Sequence, residues 1–549
     1  MSPQDQAIAE KQTLLKEGAK SAADRWPKQI KFIVGNEACE RFSYYGMTSI
    51  LAGYISGEIA KGGLGQTADM ATSVIHTFKF ANYFMPLFGA WLSDKIIGRY
   101  HTILWVSLFY CAGHGVLACS DMAASPHGKL LFLYVGLALI AFGSGGIKPC
   151  VSAFVGDQFR PDQSHLLQKA YGAFYWSINF GSFFSFLAIP WIKNHHGYSW
   201  AFGVPGIAMG LATLVFWSGT KYYRRVPPSR HTKTAGFIPV FLAAYSNQGR
   251  FALAPLLNIL AALGLPALAM VALTFVAVAQ QMTPAMVLLG RAGLIIVCLW
   301  YILIVAHSLL GRFELPENFW QAALKRYSSP EIAAARSVNP ILFVFALVPV
   351  FWSLFDQSNS TWVLQGEKML SFTILGFQIG AEEMQSANPA LVMILVPLLT
   401  LGLYPRLGKL ATPLRRMSFG LFLTAGSYVI VAFLQRQVEA GAQISVAWQT
   451  LPYIVLTTAE VLVSTTGLEF AFTQAAPEMK STIMSFWLLT VAFGNLVVTA
   501  ITKVLSGSDP ASHASAVSTS RFMLYAGLTF GVAILFSFVA ARYRYRDEE

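Results

Sequence analysis

The chain has 549 residues, 55% of them hydrophobic and only 12% charged, against about a quarter charged in soluble domains. With a mean hydropathy of +0.52 and 14% aromatics, this composition excludes intrinsic disorder, collagen, a secreted disulfide scaffold and a nucleic-acid-binding domain. The formal charge of +12 fits a membrane chain whose Lys and Arg gather in loops on one side.

The segment Met1 to Trp26 is polar and lacks a short apolar core or small-residue cleavage site, so no removable signal peptide is expected. Fourteen apolar runs near 20 residues then follow, at 34–57, 72–93, 102–120, 130–154, 171–191, 199–219, 254–279, 286–309, 339–357, 388–404, 417–434, 447–470, 481–502 and 522–541. An even number places both termini on one side. Of the 39 Lys and Arg, 28 fall in loops on that side and seven opposite, so both termini are expected in the cytoplasm.

The spacing divides the chain into a cytoplasmic segment 1–33, a six-helix bundle 34–219, a linker 220–338, a second six-helix bundle 339–541 and a tail 542–549. The linker holds a basic stretch (Lys221 to Arg250), two inserted spans and an amphipathic stretch (Gly311 to Val338). The expected architecture is an all-α polytopic membrane protein of two bundles that rock around a midplane site. The inserted pair is apolar nearly all round and reads as lipid-facing. Cys39, Cys111, Cys119, Cys150 and Cys298 lie in apolar runs and read as small core residues, not disulfides or metal ligands.

A charge at mid-span costs roughly 2.5–3.5 kcal/mol on the insertion scale, so each one requires a reason. Glu37, Glu40 and Arg41 sit at i, i+3 and i+4 on one helical face. Two acids facing one base leave a carboxylate free to take a proton. Lys148 follows the run Gly143-Ser144-Gly145-Gly146, which has the wrong spacing for a phosphate loop and reads as a thinned helix admitting a close neighbour. Glu460 is a lone mid-span acid with Ser464 one turn on. Set across the molecule from Arg41 and Lys148, it makes a pocket cationic at one end and anionic at the other. Such a pocket suits a zwitterion; two peptide residues span about 7 Å when extended. Lys79 and Arg291 read as snorkelling or packing charges, and Glu469 as solvated at a span end. No HExxH, GxSxG, Walker or polar Cys/His constellation is present, so no enzyme is expected.

Glu37-Ala38-Cys39-Glu40-Arg41-Phe42-Ser43-Tyr44-Tyr45-Gly46 resembles the ExxERFxYYG motif of the proton-dependent oligopeptide transporter (POT) family. Gly145 to Phe154, continuing through Gly156-Asp157-Gln158-Phe159, resembles its first signature. Phe174-Tyr175-Trp176-Ser177-Ile178-Asn179-Phe180-Gly181-Ser182 resembles its second, FYxxINxGS. Gly89, Asp94, Gly98 and Arg99 are similar to the loop 2–3 motif of the major facilitator superfamily. Further matches run through Phe351-Trp352, Asp356-Gln357, Gln385 to Pro389, and Trp448 to Trp487, covering nearly the whole chain.

The resemblance implies a major facilitator fold with two inserted helices and symport of di- and tripeptides with protons. It implies no other cofactor, no metal, no nucleic-acid partner and a functional monomer in a bacterial-type inner membrane. By position, Arg41 and Lys148 match the residues near the peptide carboxylate, and Glu460 the one near the amino group. Tyr45, Tyr83, Tyr175, Asn179, Trp352, Asn388, Ser464 and Trp487 match the peptide pocket. Glu37 and Glu40, with Arg41, Lys148 and the span-2 His76, match proton-coupling positions; an intramembrane His equally serves as a packing hydrogen bonder. Asp94, Arg99 and Asp356 match gating positions. One departure stands out: where other members place an Arg that pairs with the acid matching Asp356, this chain has Thr48. Either another base replaces it, or the outer gate closes differently. Relatives on the same fold carry nitrate or glucosides, and a non-transporting receptor is a further alternative. Nitrate offers no amino group to Glu460, and a receptor would be expected to lose the titratable residues.

Overall fold

Residues 26–123, 125–160, 163–228, 236–246, 288, 315, 317–408, 411–506 and 515–545 are described here in a computed structural model. Five long helices form the N-terminal half: α1 (Ile30–Ser56), α2 (Ala68–Leu92), α3 (Arg99–Ala118), α4 (Pro126–Asp157) and α5 (Ser164–Ser218). Their starts follow local chemistry. Thr67 caps α2 by accepting from the Met70 amide at 3.1 Å, and Ser125, before Pro126, caps α4 through the Gly128 amide at 3.1 Å. The 55-residue α5 breaks at Gly197, whose φ of 83° is left-handed territory. The break separates the two spans expected at 171–191 and 199–219.

A short helix α6 (Phe237–Ser246) lies in the linker, and α7 (Ser329–Arg336) opens on a Ser328/Glu331 capping box. The second half comprises α8 (Val338–Phe345), α9 (Pro349–Phe355), α10 (Thr361–Gly366), α11 (Ala387–Pro397), α12 (Pro413–Glu439), α13 (Thr450–Glu460), α14 (Thr466–Gln474), α15 (Lys480–Ser506) and α16 (Thr519–Arg542). Within the halves, α1 packs on α5, α3 on α4, α12 on α16 and α9 on α15; the halves meet mainly where α2 packs on α15 and α11 on α5.

Among the described residues, eight helices are long and apolar enough to cross a membrane, or nine with one bent pair. The helices α1 and α2 match two further expected spans and carry the charged groups discussed below. The span expected at 339–357 is that bent pair, Ser329–Phe345 and Pro349–Asn359, at 47°. Pro349 accounts for the bend, since it lacks an N–H and crowds the preceding turn. The inserted spans 254–279 and 286–309, with Arg291 and Cys298, lie outside the described residues apart from Leu288.

The all-α fold has one local exception, and the reading of the cysteines as core residues needs correction. An antiparallel hairpin, β1 (Phe372–Ile374) and β2 (Phe377–Ile379), interrupts the all-α pattern. Its turn residues Leu375 and Gly376 both have positive φ (49° and 83°), a geometry usually announced by Asn-Gly or Asp-Gly, so the sequence carried no signal for it. Of the four described cysteines only Cys150 is buried, and Cys119 is exposed; an apolar run marks lipid-facing positions as readily as core ones.

The glycine run of α4 does admit close neighbours. A Cβ on Gly145 would stand 2.5 Å from the Asn82 carbonyl oxygen and 2.6 Å from Met85 Cβ, and one on Gly143 would stand 2.5 Å from Tyr110 Cβ. Overpacking of this kind costs about 1–3 kcal/mol. Gly145→Ala is therefore expected to lower the melting temperature of the purified protein. An unchanged value would mean that α2 and α4 are free to separate.

Candidate functional site

On α1 the three charges share one face, as their spacing requires. Arg41 Nε donates to Glu37 Oε1 at 2.8 Å and lies 2.6 Å from Glu40 Oε2. That second contact is off the N–H direction, so Glu40 Oε2 gains a neighbouring charge but no hydrogen bond. The other Glu40 oxygen accepts from Ser144 Oγ at 3.3 Å. All three side chains are buried. Arg41 is thus engaged with its own helix.

Lys148, on α4, is the other cation. Its Nζ has no hydrogen-bond partner and rests over the rings of Tyr44 (4.5 Å) and Tyr83 (4.2 Å). Aromatic faces hold a desolvated ammonium without neutralising it. The Tyr44 hydroxyl is fixed by Asn82 Nδ2 at 3.1 Å.

In the other half, Glu460 ends α13 immediately before a π-helical turn, Val461–Thr465, that contains Ser464. Turns of this kind recur at functional sites. Asn388 Nδ2 donates to Glu460 Oε2 at 2.7 Å and to Thr457 Oγ1 at 3.1 Å. No cation lies within ion-pair distance of Glu460 among the described residues. Trp352 and Trp487 meet edge to face at 6.1 Å in the core of that half, with Tyr83 packed against it. Tyr45 packs on Tyr44 and Phe186 and lies within Coulombic reach of both Arg41 and Glu460. Tyr175 is 41% exposed, whereas Asn179 spends its amide on the Tyr175 carbonyl of its own helix.

A separate, largely buried network joins the halves at the end distal to the termini. Lys79 Nζ donates to Asp356 Oδ1 at 2.7 Å and to Asn359 Oδ1 at 2.7 Å. Asn495 Nδ2 donates to Asp356 Oδ2 at 2.6 Å, leaving Asn495 Oδ1 facing His76 Nδ1 at 2.7 Å. The nitrogen Nδ1 therefore carries the hydrogen, and Nε2 accepts from Ser360 Oγ at 2.8 Å. Asp356 is thus paired with Lys79, while the Thr48 hydroxyl bonds the Tyr45 carbonyl. Of the two readings of Lys79, snorkelling or packing between helices, the structure has the second: it is 3% exposed and bridges the two halves.

The other gating positions, Asp94 and Arg99, have a different reach. Arg99 donates to both oxygens of Asp157 (2.7 and 2.8 Å) and to Asp94 at 3.3 Å. These contacts tie the α2–α3 loop to the end of α4 within one half. Sequence reasoning did not single out Asn359, Asn495 or Asp157. Asp157 alone had a signal, since it stands inside the first signature.

A family model described as the POT family matches residues 100–517. The chain is 33% identical over 427 residues to "Peptide transporter family 1" of Drosophila melanogaster, covering 76% of this chain and 49% of that protein. It is 32% identical over 438 residues to "Solute carrier family 15 member 2" of Rattus norvegicus, covering 75% and 50%. The chain thus spans about half the length of these relatives. Among solved structures it is similar to an auto-inhibited POT family peptide transporter (38% identity, 94% of this chain and 98% of that one, TM-score 0.78). It is equally similar to the POT family transporter PepTSo (38%, 94% and 98%, TM-score 0.79).

Proposed function

The chain belongs to the POT family, and on that premise we propose that it carries di- and tripeptides across the membrane in symport with protons, by alternating access. The observation that carries this reading is a pair of unneutralised charges in opposite halves. Among the described residues, Lys148 Nζ has no hydrogen-bond partner, and Glu460 accepts from the neutral Asn388 with no cation within ion-pair distance. A zwitterion satisfies both at once: its carboxylate at Lys148, its ammonium at Glu460. Trp352, Trp487, Tyr83 and Tyr175 supply apolar and aromatic surface for side chains of varied kind.

Glu37, Glu40 and Arg41 are the proton-coupling group. Arg41 is engaged with the carboxylates when no peptide is bound and turns toward the peptide carboxylate when one of them takes a proton. The Lys79–Asp356 pair, with His76 and Asn495, closes the outer gate, and the Arg99–Asp157–Asp94 cluster stiffens the cytoplasmic face. Both termini are cytoplasmic, the working unit is a monomer, and the membrane is the inner, or plasma, membrane.

Glu460→Gln keeps the shape and the Asn388 contact but removes the charge. A charge-assisted hydrogen bond contributes roughly 1.5–3 kcal/mol, so dipeptide affinity measured by equilibrium binding is expected to fall about ten- to hundredfold. A peptide analogue lacking the amino group should show nearly equal affinity for both proteins. Equal losses for the two ligands would place Glu460 in the scaffold.

A further inference from the structure

The distal closure contains a second ion pair across the halves. Lys193, on α5 four residues before the Gly197 break, pairs with Glu382, just ahead of α11, at 2.5 Å. Glu382 is 4% exposed. Glu367 and Glu383 stand with them around a recess of about 250 Å³ that three carboxylates and the one Lys193 ammonium line. The free oxygen, Glu382 Oε1, is buried without a hydrogen-bond partner. It converges with Glu367 Oε1 on Gly53, near the end of α1: a Cβ at that glycine would lie 2.7 Å from the first oxygen and 2.9 Å from the second. Two carboxylates from one half are thus pressed against a bare backbone of the other.

We propose that Glu367, Glu382 and Lys193 form a proton-sensitive latch, in which closing the distal end takes up a proton that opening releases. The proposal rests on the alternating-access reading above. In the closed state burial pushes Glu382 up to about 7; Lys193 opposes this, and Glu383 and Glu367 add to it. Burial raises Glu367 as well, against Lys193 and Lys368. The remaining titratable neighbour is Tyr198 of α5; α1 contributes only Gly53 and Ser49, and the turn Val446–Gln449 carries no charge. Opening would return Glu382 to water and its ordinary value near 4.5. A group raised in the closed state favours closure fully below the ordinary value and loses that effect as pH rises through the raised one. The open-to-closed ratio should therefore rise by up to about tenfold per pH unit between about 4.5 and 7.

The test uses the full-length protein in lipid nanodiscs without peptide, with native cysteines replaced and spin labels on Lys61→Cys and Thr373→Cys, exposed positions in opposite halves. Electron-electron distances are measured from pH 5 to 7.5. The closed population is expected to fall with rising pH. Glu382→Gln should flatten that slope, holding at pH 7.5 the population seen at pH 5. Glu367→Gln should reduce the slope in the same direction, which keeps the test available if Glu382→Gln does not fold. A folded variant of either kind with the parent slope overturns the latch. Dipeptide uptake by the same proteins reports separately on the transport reading. A pH response without uptake would leave the latch standing and remove the substrate assignment.

Discussion

Lys148→Ala is expected to abolish accumulation of dipeptide against a gradient while leaving the melting temperature of the protein unchanged or raised. The two halves of this expectation have one cause. Burying an ammonium costs several kcal/mol unless hydrogen bonds and counter-charges offset it, and Lys148 has aromatic faces but no hydrogen-bond acceptor. Removing it relieves that cost and removes the cation proposed to receive the peptide carboxylate. A cation kept at the expense of stability points to a ligand. Normal concentrative uptake by Lys148→Ala would exclude the residue from the mechanism. A large drop in melting temperature would make it part of the packing instead.

The Lys79–Asp356 pair carries the opposite balance. Both groups are buried, and Asp356 is satisfied on both oxygens by Lys79 and Asn495. Breaking a buried pair by removing one partner costs about 3–5 kcal/mol, because the other charge is left unpaired. That penalty falls only on the state in which the halves meet. Lys79→Met should therefore shift the population toward the distally open form by roughly a hundred- to a few thousandfold, read as label accessibility of a cysteine placed at Ser49. Adding Asp356→Leu should recover most of the closed population, since a hydrophobic pair of similar volume is often neutral or better. If the double variant is as open as Lys79→Met alone, the pair does not act as a lock.

The all-α major facilitator fold was legible because its signals are local: apolar runs, caps, and helix-breaking Pro and Gly. The α1 cluster was legible for the same reason, since Glu37, Glu40 and Arg41 share a face by spacing alone. What joins distant helices was not. His76 meets Asn495 across 419 positions and Lys79 meets Asp356 across 277. Asn and Gln in apolar spans give no hint of which charge they will orient. The absence of an Arg at position 48 left open either another base or a different closure, and only the packing of α2 against the second half brings Lys79 to Asp356. The latch was hidden further, because Glu367 and Glu382 lie between the apolar runs 339–357 and 388–404, where a charge calls for no explanation.

Coupling has its own test in Glu37→Gln and Glu40→Gln. Glutamine imitates the protonated carboxyl but cannot ionise, so at least one variant should lose uptake against a gradient and retain peptide counterflow, which requires no net proton movement. Loss of both activities in folded protein would point to packing.

The central claim is proton-coupled peptide transport, and uptake of labelled dipeptide into proteoliposomes tests it most directly. With an inward proton gradient the protein should concentrate dipeptide above the external level, and collapsing the gradient should reduce uptake to equilibration. Equal uptake with and without the gradient, or no dipeptide uptake by correctly folded protein, would contradict the account.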